Sequence, residues 1–66
     1  MKNSLKIERA IKNLTQDDLA KLIGVSRQTI NSIEKGRYVP STVLALKISA
    51  VFEKQVNEIF ELDDSD

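Results

Sequence analysis

Hydrophobic residues recur at helical spacing in the first part of the chain. Four of them follow the i, i+3, i+4, i+7 pattern of one amphipathic helix face: Ile7, Ala10, Ile11 and Leu14. Ser4 precedes this segment and is of a residue type that accepts a hydrogen bond from the first turn of a helix. The pattern therefore predicts a first helix that is capped by Ser4 and ends near Asn13.

Two further short helices are predicted downstream, because polar caps and glycines bracket each of them. Thr15 and Asp18 have the spacing of a short capping box, and Gly24 supplies a left-handed turn that ends the helix. Ser26 then caps the next helix, and Gly36 marks its end. The sequence thus predicts two helices that are joined by a tight turn.

These two helices have the pattern of a helix-turn-helix over about residues 16–35. Ala20 is small enough to let the helices cross closely, and the wedge between them is filled by Leu19, Ile23, Val25, Ile30 and Ile33. At about 100° per residue, the polar residues of the second helix share about 140° of arc. They are Arg27, Gln28, Asn31, Ser32 and Lys35.

This polar face favours an interaction with DNA. Its side chains can hydrogen-bond base edges or phosphates from a helix in the major groove, and Glu34 falls only at its margin. The alternative is an ordinary amphipathic surface helix, which is also polar outside but usually mixes Glu with Lys.

The second half of the chain predicts two more helices. Pro40 and Ser41 open a helix of residues 42–52, which is so nearly apolar that we expect a central helix packed on several sides. A short fifth helix carries Val56, Ile59 and Phe60. Leu62 is predicted to lie in a short strand beside residues 1–3.

The net charge of the chain is zero, with ten basic and ten acidic residues, but these charges are segregated along the sequence. Residues 1–40 have a net charge of +4, and residues 41–66 have a net charge of −4. A molecule polarised in this way can present a positive end to phosphate. The acidic residues 61–66 are predicted to form a solubilising tail.

Composition narrows the class of protein further. The chain has no cysteine and no stretch near the roughly 18 consecutive apolar residues of a membrane span, so we expect a cytoplasmic protein. It has no histidine and no phosphate-cradling glycine loop, and Asp17 and Asp18 are explained as the start of a helix. We therefore expect no enzyme activity, no cofactor, no metal site and no small-molecule ligand.

The segment from Leu14 to Ser41 resembles a known family. It reads L-T-Q-x-x-L-A-x-x-x-G-V-S-R-Q-T-I-x-x-I-E-x-G, followed by Y-x-P-S, and is similar to the lambda-repressor-like, Cro/XRE family of helix-turn-helix proteins. The resemblance implies an all-α, compact five-helix DNA-binding domain over residues 1–66. It also implies a short stand-alone prokaryotic regulator, and such members act mostly as dimeric repressors.

The resemblance implies a role for each matching residue. Arg27 and Gln28 would read bases, with Asn31 and Ser32 one turn later reading bases or touching only sugar or phosphate. Glu34 would be an internal partner of Arg9. Contacts to DNA phosphates would come from Gln16, Ser26, Lys35, Arg37 and Tyr38; packing of the tyrosine ring against the loop is an equal alternative.

A single small domain contacts too few base pairs to find one gene in a genome. We therefore expect a homodimer on a palindromic, inverted-repeat operator, with recognition helices about 34–36 Å apart. Its interface is predicted at Val56, Ile59, Phe60 and Leu62, although most of these could instead close the monomer's own core. Gln55 stands where related sequences have Ser or Thr, and Glu53 replaces a common glycine, so the geometry of the fifth helix stays open.

Three functions from different classes remain. The first is a sequence-specific transcriptional regulator that binds double-stranded DNA and represses by occupying a promoter. The second is an antitoxin or other protein-binding adaptor, whose acidic end engages a partner and whose DNA binding serves autoregulation. The third, an enzyme, has no constellation of residues to support it.

Overall fold

The computed structural model describes all 66 residues as five helices and a small antiparallel sheet. In chain order the elements are β1 (Lys2–Asn3), α1 (Leu5–Ile11), α2 (Gln16–Ile23), α3 (Arg27–Glu34), α4 (Thr42–Phe52), α5 (Val56–Ile59) and β2 (Phe60–Glu61). The predicted all-α architecture with a short terminal β element is confirmed. No helix is both long enough and apolar enough to cross a membrane.

The predicted caps of α2 and α3 are present. Asp18 donates its backbone N–H to Thr15 Oγ1 at 3.0 Å, and Thr15 donates its backbone N–H to Asp18 Oδ2 at 2.9 Å. The second of these bonds lowers the pKa of the Asp18 carboxyl. Ser26 Oγ accepts the backbone N–H of Thr29 at 3.1 Å. Both helices of the helix-turn-helix therefore begin where the sequence predicts.

The start of α1 differs from the prediction. Ser4 occupies the N-cap position, but its side chain makes no capping bond and its buried Oγ has no partner. The cap comes from Asn3, whose Oδ1 accepts the backbone N–H of Leu5 at 3.1 Å. The helix ends at Ile11, two residues earlier than Asn13, which adopts a left-handed backbone with φ of 55°.

Two helix ends adopt the left-handed conformation, and the steric cost differs between them. Gly24 ends α2 with φ of 76°, as predicted, and a glycine adopts this backbone at no steric cost. Glu53 ends α4 with φ of 54°, where a side chain makes the conformation costly. The backbone N–H of Gln55 then donates to the carboxylate of Glu58, which holds the start of α5.

The core lies where the helices meet, around side chains that are almost fully buried. Its members are Leu5, Leu19, Ala20, Ile23, Ile30, Ile33, Leu44, Ile48, Phe52, Ile59 and Phe60. Val25, the remaining member of the predicted wedge, packs against this core and is partly buried. The packing of α2 against α3 therefore fixes the shape of the helix-turn-helix.

The predicted environment of α4 is wrong. Only one face of this helix enters the core, through Leu44, Ile48 and Phe52. Val43 and Leu46 point outward and are 64% and 57% exposed. A nearly continuous apolar sequence therefore does not reflect packing on several sides here, and it leaves an apolar strip on the surface of the single chain.

The chain ends meet in the two-stranded sheet, where Lys2 pairs with Glu61 and Asn3 with Phe60. This confirms the predicted pairing with residues 1–3, but the strand stops one residue before Leu62. Ile59 and Phe60 are only 2% and 6% exposed, because they pack into the core of their own chain. Their assignment to a dimer interface is therefore wrong.

The acidic residues after β2 fold back onto the start of the chain rather than extending into solvent. The amino group of Met1 lies 3.2 Å from Asp66 Oδ1 and 3.3 Å from Asp63 Oδ2. Ser65 donates both its hydroxyl and its backbone N–H to Asp63. These bonds, with a smaller effect of the amino group, lower the pKa of Asp63 to about 2.

Candidate nucleic-acid interface

The third helix has one buried and one accessible side. Ile30 and Ile33 are buried against α2 and the rest of the core. Arg27 and Gln28 are exposed on the opposite side, and Asn31 and Ser32 are half-buried one turn later. The side chains predicted to read bases therefore occupy one continuous surface of α3.

Two hollows flank Gln28 on this surface. One is lined by Ser26, Gln28, Thr29, Ser32 and Tyr38. The other is lined by Gln16, Arg27, Gln28 and Asn31. Seven of the nine predicted contact residues thus lie around one ridge. We call these seven residues, together with Lys35 and Arg37 of the following loop, the recognition surface. Thr29 was not among the predicted residues.

The loop after α3 is held in a Schellman motif. Gly36, with φ of 72°, donates its backbone N–H to the carbonyl of Ile33, and Arg37 donates its own to the carbonyl of Ser32, both at 2.9 Å. Asn3 Nδ2 donates to the same Ile33 carbonyl at 2.9 Å. These bonds fix the backbone that carries Lys35 and Arg37. Asn3 has no local sequence signal for this contact, because its partner is 30 residues away.

Charge is distributed so that the recognition surface keeps its positive side chains available. None of the ion pairs in the structure involves Arg27, Lys35 or Arg37. Glu34 turns away from this surface and pairs with Arg9, as predicted. The Glu34 carboxylate raises the pKa of the Arg9 guanidinium. An anionic ligand therefore meets unpaired cations on α3 and its loop.

The side chain of Gln16 is engaged within the chain. Its Nε2 lies 3.1 Å from Glu34 Oε1 and 3.3 Å from Asn31 Oδ1, so the two Nε2 hydrogens both have acceptors. Sequence reasoning placed this side chain on a phosphate. In the free chain, such a contact requires Gln16 to give up one of its internal partners.

Comparison with known proteins agrees with this geometry. Residues 5–59 match the helix-turn-helix family. The chain belongs to the Cro/XRE-type helix-turn-helix family. It is 56% identical over 66 residues to an uncharacterised HTH-type transcriptional regulator of Methanocaldococcus jannaschii, covering all of both chains. It is 45% identical over 64 residues to the uncharacterised HTH-type transcriptional regulator YgzD of Bacillus subtilis, covering 97% of each.

A solved structure supports the same assignment. The restriction-modification controller protein C.AhdI of Aeromonas hydrophila superimposes with a TM-score of 0.76 at 32% identity, covering 85% of each chain. Family membership, full-length relatives and fold agree, so this helix-turn-helix protein is a DNA-binding transcriptional regulator. Its α3 occupies the position of the second helix of the motif.

Proposed function

We propose that this regulator is a repressor that binds an inverted-repeat operator as a homodimer. The observation that carries the proposal is the recognition surface itself. It combines accessible polar side chains on α3 with cations that form no ion pair within the chain. Occupation of a promoter by such a protein needs no chemistry beyond binding, because it excludes other proteins from the same DNA.

Two residues are proposed to read the bases first. Arg27 and Gln28 are exposed in the first turn of α3, the part of a recognition helix that enters the major groove. A bidentate contact from Arg favours guanine, and one from Gln favours adenine. Asn31 and Ser32 lie one turn further along and are proposed to contact the adjacent bases or sugars.

The remaining residues of the surface are proposed to hold the DNA backbone. Lys35 and Arg37 flank the Gly36 turn and would neutralise phosphates beside the end of α3. Tyr38 is exposed and lines the same hollow as Ser26, so both hydroxyls can donate to phosphate oxygens. Such contacts position the protein without reading sequence.

Exposed apolar side chains support the proposed homodimer. Val43 and Leu46 on α4 lie outside the core of the single chain, and Leu62 is 75% exposed. Val56 is partly buried, and we keep it with Leu62 as a proposed interface residue. Burial of these side chains between two copies would remove apolar surface from water. A two-fold dimer that binds an inverted repeat places its recognition helices about one DNA turn apart.

Sedimentation of the free protein at micromolar concentration tests the dimer. We expect a dimer for the natural sequence and for Leu22→Asp, which changes an exposed leucine on α2. We expect at least one of the two single variants Leu46→Asp and Leu62→Asp to sediment as a monomer. A natural protein that sediments as a monomer, both alone and on DNA, contradicts the proposal.

Repression is tested separately with a reporter gene behind a promoter that contains an operator obtained by selecting bound sites from random DNA duplexes. Expression of the natural protein should lower reporter output, and a variant lacking Arg27 and Lys35 side chains should restore it. Increased output with the natural protein contradicts repression but leaves DNA binding intact.

A further inference from the structure

Asn3 joins the terminal sheet to the end of α3. Its backbone pairs with Phe60 in the sheet, and its side chain makes two further hydrogen bonds. Oδ1 accepts the backbone N–H of Leu5 at 3.1 Å, and Nδ2 donates to the carbonyl of Ile33 at 2.9 Å. One residue thus contacts β2, the first turn of α1 and the last turn of α3.

The two backbone partners determine which way the Asn3 amide points. A backbone N–H only donates and a carbonyl only accepts, so the amide oxygen faces Leu5 and the nitrogen faces Ile33. Exchange of the two ends would place donor against donor and acceptor against acceptor. The backbone of Asn3 is held as well, because its sheet partner Phe60 is 6% exposed and packs in the core. Asn3 is therefore a fixed point of the free chain.

The Ile33 carbonyl lies at the base of the turn that follows α3. It also accepts the backbone N–H of Gly36 at 2.9 Å, so both of its lone pairs have donors. Met1 contacts the same turn, since a Cβ placed on Gly36 would lie 3.5 Å from the Met1 carbonyl oxygen. The start of the chain therefore packs against the turn that carries Lys35 and Arg37.

We propose that Asn3 is a positioning residue that makes the terminal sheet part of the DNA-binding device. It holds the Gly36 turn where Lys35 and Arg37 both reach phosphates, and it touches no DNA itself. This inference rests on the proposed phosphate contacts of these two residues. Loss of the bond to Ile33 should weaken binding to all sequences alike, because contacts to the DNA backbone carry no sequence information.

The test is Asn3→Ser, which separates the two roles of the side chain. A serine hydroxyl can still accept the N–H two residues on, but serine is shorter and lacks the amide nitrogen that donates to Ile33. Binding is measured by fluorescence anisotropy on a selected duplex and on a scrambled one, at several salt concentrations. Both duplexes should bind about five-fold or more weakly, and the slope of log affinity against log salt should fall by about 1.

The matched control is Asn57→Ser, the same substitution at an exposed residue of α5. It should change neither the affinity nor the salt slope. A purely structural role of Asn3 would lower the melting temperature but leave the salt slope of the folded protein unchanged. Circular dichroism checks that Asn3→Ser is folded at the assay temperature. If it is not, Asn3→Thr replaces it, because threonine carries the same hydroxyl and favours a strand.

The route through the turn is tested in a variant that lacks both cations, Lys35→Ala with Arg37→Ala. In that background Asn3→Ser should weaken binding by less than about two-fold, because no cation remains for Asn3 to position. A full additional loss there overturns the inference, as does a folded Asn3→Ser protein with unchanged affinity and salt slope. A changed base preference in Asn3→Ser also overturns it. If the variant without both cations binds like the natural protein, the proposed phosphate contacts fail, and the inference fails with them.

Discussion

Glu34, the last residue of α3, accepts two hydrogen bonds from the guanidinium of Arg9 on α1. The distances are 2.5 Å between Nε and Oε2 and 3.0 Å between Nη2 and Oε1. The two side chains are only 14% and 7% exposed. A bidentate pair of this kind fixes both distance and direction, so it holds α3 against α1.

Removal of one member of this pair is expected to cost stability. Glu34→Ala leaves the Arg9 charge without a partner at a largely buried site, so the free energy of unfolding should fall by about 3 kcal/mol. Asp17→Ala is the control, because Asp17 and Lys21 form a pair that is mostly in solvent. That change should have little effect. Urea titration measures both, and equal losses would contradict the role given to Arg9 and Glu34.

The left-handed backbone at Glu53 is expected to lower the free energy of unfolding, and a glycine at this position should remove that loss. Glu53→Gly should raise the free energy of unfolding by about 0.5 kcal/mol or more, because glycine adopts a positive φ without strain. The opposite change, Gly24→Ala, should lower it by about 1 kcal/mol. A Cβ at Gly24 would meet no atom within 4 Å, so its cost is in the backbone alone. Thermal unfolding should show opposite shifts, and destabilisation by Glu53→Gly would refute the explanation.

Acid should weaken the fold partly through Asp63. Its native pKa of about 2 lies below the ordinary value of 3.8, because Ser65 and then the Met1 amino group stabilise the carboxylate. Its contribution is therefore complete above the ordinary value and is lost as the pH falls through the native one. The melting temperatures of the natural protein and of Asp63→Asn should differ at about pH 5, which is above the ordinary pKa. This difference should shrink as the pH is lowered to about 2, the native pKa of Asp63. A difference independent of pH would exclude this role.

Base readout and phosphate contact are expected to respond differently to mutation. Arg27→Ala should cost about 1–3 kcal/mol on the preferred duplex and relax the preference at one base pair. Lys35→Ala should weaken all sequences alike and reduce the slope of log affinity against log salt by about 1. Fluorescence anisotropy at several salt concentrations separates these effects. A preserved base preference in Arg27→Ala would remove that residue from the set that reads sequence.

Local signals account for what could be predicted from the sequence. The caps at Thr15 and Ser26 depend on a partner three residues away, and the turn at Gly24 depends on one residue's φ. The polar face of α3 follows from helical periodicity. The pairing of Arg9 with Glu34 was expected from the resemblance to the family rather than from local pattern.

Contacts between distant segments account for what could not be predicted. The burial of Phe60 depends on where α5 and β2 meet the core. Leu46 is exposed because no other element of the chain covers its side of α4. The cap supplied by Asn3 displaced the expected one from Ser4, although both residue types favour this role. The hydrogen-bond partners of Gln16 lie 15 and 18 positions further along the sequence, so no local pattern predicts these bonds.

Selection of binding sites from a pool of random DNA duplexes tests the central claim most directly. The natural protein should enrich an inverted repeat whose half-sites are centred about 10 base pairs apart, as two recognition helices of a two-fold dimer require. Arg27→Ala should enrich the same spacing with one base pair less specified. Recovery of no sequence, or of a single half-site without symmetry, would contradict a dimeric regulator that reads DNA through α3.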